Sequence, residues 1–234
     1  MYIDWYYIVL VLPAIIFSMI ASSFVESTFK KYSSKKNLSG ITGSQAARIV
    51  LNSKGLYNVQ INMISGNLTD HYNPKTNVIY LSENVYNSAT SAAVGVAAHE
   101  AGHAVQHAEN YLPVKIRSAI VPITNFGARI SPFLLLIGLA LTYYGDAFIF
   151  LAYLGVALFG LSTVFQLVTL PTEFNASKRA MDSLRNCGHF TNEELVSSRK
   201  VLSAAAMTYV AALAVSFMQL LRLFLIVSRR DRRD

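Results

Sequence analysis

The chain has 234 residues, of which 53% are hydrophobic and only 14% charged, with a net charge of +7 and one cysteine. A positive mean hydropathy makes it too apolar for an ordinary soluble domain, so the composition predicts a mainly α membrane protein. Its basic residues flank apolar runs without an interleaved aromatic reading surface, which points to the lipid bilayer as a partner and excludes nucleic acid. Cys187 on its own rules out an intramolecular disulfide and fits a reducing compartment.

The first apolar run, Trp5 to Val25, carries no charge and is long enough to cross about 30 Å of hydrocarbon. The acidic Met1-Tyr2-Ile3-Asp4 before it is the wrong start for a cleaved signal peptide, so residues 1–28 read as an uncleaved N-terminal anchor. Lys30, Lys31, Lys35 and Lys36 follow it directly. By the positive-inside rule the anchor runs from outside to inside, and residues 29–118 form a cytoplasmic part.

Within that part, Thr42 to Asn52 reads as an amphipathic helix capped by Thr42 and stopped near Gly55. Tyr57 to Ile61 alternates as a strand, Ser65-Gly66-Asn67 and Asn73 to Asn77 are turn signals, and Val78 to Leu81 is a second strand. A small β-meander is therefore expected. Its edge suits an extended polypeptide added as a further strand, and equally suits a purely structural role in packing the helix that follows.

That helix, Ser91 to Asn110 with Thr90 or Ser91 as N-cap, contains His99-Glu100-Ala101-Gly102-His103. Residues four apart on a helix stand one above the other, so His99 and His103 can direct ring nitrogens at one Zn²⁺ about 2.1 Å from each. Glu100, roughly 100° round the helix, is placed as a general base beside the metal without being a ligand. His107 lies one further turn on, but about 12 Å of helix axis separates it from His99, too far for both to close on one ion.

Ile130 to Gly145 and Ala147 to Leu170 read as a transmembrane hairpin, residues 119–170, turning at Tyr143-Tyr144-Gly145-Asp146. Residues 171–203 return as a cytoplasmic helical segment rich in Lys and Arg, and 204–234 form a C-terminal apolar helix with a basic tail. Gln219 and Arg222 interrupt this last run, Ala204 to Val227. It either spans, which puts an arginine-rich tail outside, or lies along the bundle with Arg222 snorkelling to the surface. The expected architecture is about four apolar helices plus a cytoplasmic metalloprotease domain.

A catalytic zinc needs a third protein ligand. The carboxylates after the motif are Glu109, Asp146, Glu173, Asp182, Glu193, Glu194, Asp231 and Asp234. Glu173 stands out because it follows Leu170-Pro171-Thr172 at the foot of the third span and opens a predicted helix, where a carboxylate also interacts favourably with a helix N-terminus.

The combination of His99-Glu100-Ala101-Gly102-His103, Glu173-Phe174-Asn175-Ala176-Ser177, Leu68 to Pro74, Val78 to Tyr86, an N-terminal anchor and a central hairpin resembles the bacterial neutral zinc metallopeptidases of the YugP type. The chain is more distantly similar to the HtpX and CAAX prenyl protease membrane gluzincins. The resemblance implies Glu173 as the third zinc ligand. Those distant relatives carry Asp four residues after this Glu, to orient a ligand histidine; Ser177 stands there, so Asn175 or Ser177 is expected to take that role with a weaker hold.

His71 and Tyr72 are candidates for transition-state or substrate contact from the meander. The sequence thus reads as a multi-pass cell-membrane, zinc-dependent endopeptidase with its site on the cytoplasmic face. It would hydrolyse bonds of an unfolded or membrane polypeptide by zinc-activated water, with Glu100 as base. The alternatives are a catalytically silent zinc-binding membrane scaffold and a zinc amidohydrolase acting on a non-peptide substrate.

Overall fold

A computed structural model describes residues 4–231. The chain is mainly helical and divides into two compact units: Met1–Ile20, Lys115–Leu170 and Tyr209–Asp234 in one, Ala21–Val114 and Pro171–Thr208 in the other.

The first unit is apolar. It holds the π-helical turn Tyr7–Val11 and the start of α1 (Leu12–Ser33), a hairpin made by most of α5 (Leu112–Leu141) and the N-terminal part of α6 (Ile149–Asn186), and the C-terminal part of α7 (Asn192–Asp231). By length and composition four helices are able to cross a membrane: Tyr7–Ser33, Leu112–Leu141, Asp146–Asn186 and Asn192–Asp231. Large apolar side chains such as Ile20, Phe126, Phe133, Leu136 and Leu167 are exposed on them, as a lipid-facing surface requires.

Helix α5 begins at Leu112, upstream of Arg129, a start that the shortness of the apolar run from Ile130 had left open, and it passes through Pro122 and Pro132 unbroken. Lys115, Arg117, Arg129 and the two prolines interrupt the hydropathy without ending the helix, because helices packed in an apolar bundle re-satisfy the backbone groups that a proline frees. The hairpin closes tightly: Gly138 abuts the Ala152 backbone, and the Ser131 hydroxyl donates to the Gly155 carbonyl at 2.8 Å.

Leu220, Leu223 and Val227 of α7 pack with Leu135, Ala152 and Val156. At the end of α7, Arg230 Nε donates to Thr142 Oγ1 at 3.2 Å and the Tyr153 hydroxyl donates to Asp231 at 3.1 Å. The C-terminal end of α7 therefore lies beside the hairpin turn. Arg222 does not snorkel: its Nε donates to Asp4 at 2.8 Å and its guanidinium lies 5.3 Å from the Tyr7 ring centre. An ion pair thus satisfies the charge inside an apolar run.

The second unit carries α2 (Gly43–Asn52), β1 (Gln60–Ile64), β2 (His71–Asn73), β3 (Val78–Ser82), α3 (Glu83–Tyr86) and α4 (Ser91–Ala108). Thr42 and Gln45 cap α2 reciprocally, and Thr90 caps α4 by accepting from the Ala93 amide. Ala46, Val50, Leu51, Ile79, Leu81, Val94, Ala97, Ala101 and Leu184 build the core between α2, the sheet, α4 and the C-terminal half of α6.

The sheet has three strands but is not a meander. Its order is β1-β3-β2, with β1 parallel to β3 and β2 antiparallel to β3. The segment after β1 carries the chain to the far edge of β3. There the Asp70 carboxylate pins it, accepting from the Ser82 amide at 2.8 Å and from the Ser82 hydroxyl. Turns at residues 53–55 and 57–58 also delay β1 beyond the expected Tyr57 start.

Candidate metal centre

Helix α4 places His99 and His103 on one face, and α6 brings Glu173 against them. The approach is possible because Gly102 has no side chain: a Cβ there would overlap the carbonyl oxygen of Ala176. Glu173 Oε2 lies 3.2 Å from His99 Nε2 and 3.3 Å from His103 Nε2, and the Glu173 side chain is only 3% exposed.

Among the described residues, His99, His103 and Glu173 form the group that could hold a metal ion, their donor atoms all within 4.8 Å of one another. Donors about 2.0–2.1 Å from a tetrahedral zinc stand about 3.3–3.4 Å apart. The carboxylate-to-imidazole separations therefore suit that ion, and two nitrogens with one oxygen is a catalytic zinc donor set. The expected separate helix opening at Glu173 is absent, because α6 runs through Pro171 without interruption. Glu173 sits inside a helix, so the favourable charge at a helix N-terminus does not account for it.

Three of the other candidate carboxylates are engaged elsewhere. Glu109 pairs with Arg179 and Lys54, Glu193 pairs with Lys35, and Glu194 accepts from the Leu38 and Thr191 amides. His107 lies outside the group, its ring centre 5.5 Å from that of Tyr72. Cys187 donates to the Leu184 carbonyl.

The outer nitrogens of both histidines have partners. His99 Nδ1 is 3.0 Å from Ser177 Oγ, and His103 Nδ1 is 3.0 Å from Gln106 Oε1. Asn175 touches neither ring but accepts from Gln106 Nε2 at 2.9 Å. Ser177 was expected only through the resemblance, as the residue standing where the distant relatives carry Asp. Gln106 was missed, because its position one turn beyond His103 does not by itself mark a role.

Glu100 is 9% exposed, and its Oε2 accepts the main-chain N–H of Tyr72 at 2.9 Å. This N–H belongs to the outer side of β2, so strand and carboxylate meet directly. The Tyr72 hydroxyl is directed to Asn77, while the His71 ring stacks on Tyr80 and contacts the Thr69 carbonyl. What Tyr72 brings to Glu100 is its backbone.

Burial alone would lower the His103 pKa, but the hydrogen bond to Glu173 and the charges of Glu100 and Glu173 outweigh it and hold the imidazole above its ordinary range. Burial pushes Asp70 up, against the hydrogen bonds from Ser82, with the neighbouring Glu100 adding to the rise.

Two histidines and a glutamate thus stand around one point where they could hold a metal ion, with a second glutamate alongside. The chain belongs to the family described as "Putative neutral zinc metallopeptidase", whose model matches residues 7–228. It is also 44% identical over 220 residues to the "Putative membrane protease YugP" of Bacillus subtilis (strain 168), covering 94% of this chain and 96% of that protein. No solved structure matches it.

Proposed function

We propose that this protein is a membrane-embedded zinc-dependent endopeptidase in which His99, His103 and Glu173 hold the metal and Glu100 is the general base. The observation that carries the proposal is the convergence of three donor atoms from α4 and α6, with Glu100 next to a ligand yet outside the group. A zinc ion held there supplies the Lewis acidity that activates water toward a scissile carbonyl. Glu100 takes the proton of the attacking water on its carboxylate and delivers it to the leaving amine. The Tyr72 amide, bonded to Oε2, orients that carboxylate throughout. Burial of Glu100 excludes bulk water from competing for the proton.

The outer edge of β2 beside Glu100 supports a polypeptide substrate bound as an added strand, drawn from unfolded or membrane proteins. Lys30, Lys31, Lys35, Lys36, Lys178, Arg179, Arg185, Arg199 and Lys200 support a multi-pass arrangement in the cell membrane with the site on the cytoplasmic face. The decisive preparation is purified chain in detergent, loaded with zinc and offered an unfolded protein such as reduced casein. Cleavage that a chelator abolishes and zinc restores is expected. Zinc-loaded chain that cleaves neither unfolded nor membrane polypeptides contradicts the proposal.

A further inference from the structure

Gln106 is fully buried, one turn beyond His103 on α4. Its amide makes three directed contacts. Nε2 donates to the Thr172 carbonyl at 2.7 Å and to Asn175 Oδ1 at 2.9 Å, while Oε1 lies 3.0 Å from His103 Nδ1.

The Thr172 carbonyl is an acceptor only, so it fixes which end of the amide faces α6. The Asn175 oxygen is held in place by Arg179, whose Nε donates to it at 2.6 Å. With Nε2 committed to these two acceptors, Oε1 is the atom presented to His103. An oxygen there requires a proton on Nδ1, which leaves the Nε2 lone pair toward Glu173 as the one available to a metal. His99 has no such constraint, because the Ser177 hydroxyl can donate or accept.

We infer that Gln106, held by Thr172, Asn175 and Arg179, is a positioning residue that sets the His103 tautomer and ring orientation for metal binding. The inference rests on the metal-site reading above. A buried glutamine serving only to fill space would need neither the orientation nor the link to a charged Arg179.

The test is zinc affinity, measured by competition with a chromophoric chelator on folded protein in detergent, alongside thermal unfolding of the chelator-treated chain. Gln106→Met keeps the volume but removes the acceptor, and is expected to weaken zinc by about 10–100-fold, the range typical of lost outer partners of ligand histidines. Gln106→Glu keeps an oxygen facing Nδ1 but loses the donor to the Thr172 carbonyl and Asn175 Oδ1, and is expected to weaken zinc no more than Gln106→Met does. In the zinc-loaded protein, nitrogen-15 NMR should show a slowly exchanging His103 Nδ1–H that Gln106→Met loses.

Equal zinc affinity in wild type and Gln106→Met overturns the inference. So does a zinc-loaded Gln106→Met chain that keeps the slowly exchanging His103 Nδ1–H, which would mark the amide as packing alone. If wild-type chain binds no zinc, the metal-site reading fails and the inference falls with it. If wild type binds zinc and the Gln106→Met affinity is unchanged, the inference fails alone.

Discussion

Gly102 of α4 and Ala176 of α6 approach so closely that any side chain at 102 would collide with the Ala176 carbonyl oxygen. The backbone contact is what brings Glu173 to His99 and His103. Gly102→Ala is therefore expected to cost about 1–3 kcal/mol, as over-packed cores do, and Gly102→Val more. Both should weaken zinc by separating the two helices. Unfolding and zinc titration of the two variants check this; a Gly102→Val chain with unaltered stability and affinity contradicts it.

The His99 to Ser177 contact gives a variant expected to improve the site. Ser177→Ala removes the partner of His99 Nδ1 and should weaken zinc by about 10-fold. Ser177→Asp supplies a carboxylate that makes the imidazole a stronger donor, and should tighten zinc relative to the parent chain. Chelator competition measures both, and a Ser177→Asp affinity below that of Ser177→Ala would rule out this view of the contact.

Since Arg230 and Asp231 meet Thr142 and Tyr153, cysteines introduced at Gly145 and Ser228 are expected to report the same side of the membrane, after Cys187 is replaced. Both should label from outside cells, while a reporter fused near Asn110 behaves as cytoplasmic. Labelling of the two cysteines from opposite sides would break the packing of α7 along the hairpin. Labelling of both only after permeabilisation would reverse the orientation.

The raised His103 pKa sets a pH dependence with a definite sign. A histidine whose folded pKa exceeds its unfolded value contributes stability that is present below the unfolded pKa and lost as pH rises through the folded one. Chelator-treated protein should therefore melt at progressively lower temperature across the interval just above the ordinary imidazole range. Zinc competes with that proton, so the stabilisation zinc provides should grow over the same interval. Melting curves with and without zinc test it, and a zinc-induced shift independent of pH would contradict the competition.

Local periodicity made the metal helix legible. The spacing of His99, Glu100 and His103 and the Thr90 cap are properties of one segment, and helices obey them without help from the rest of the chain. Glu173 stood out at the foot of an apolar run, although Pro171 suggested a break that the bundle does not impose. The sheet was harder: β2 spans three residues between two turn signals, too short to show alternation, and the parallel pairing of β1 with β3 depends on where the Asp70 to Ser82 contact sends the chain. Gln106 was invisible for a related reason. Its spacing to His103 is shared by any two residues on a helix face, and its meaning comes from the Thr172 carbonyl of another helix. Likewise, whether the last run spans or lies along the bundle with Arg222 at the surface was open from the sequence, because Asp4, the partner of Arg222, stands over two hundred residues away.

Glu100→Gln decides whether Glu100 is the general base, because it preserves the shape of the side chain and an oxygen able to accept the Tyr72 amide while removing the capacity to take a proton. Zinc content, unfolding and hydrolysis of an unfolded polypeptide should be measured on the same preparation. Zinc and fold should stay at parent levels, with hydrolysis reduced by roughly 10²-fold or more. Parent-like hydrolysis by a zinc-loaded Glu100→Gln chain would contradict it.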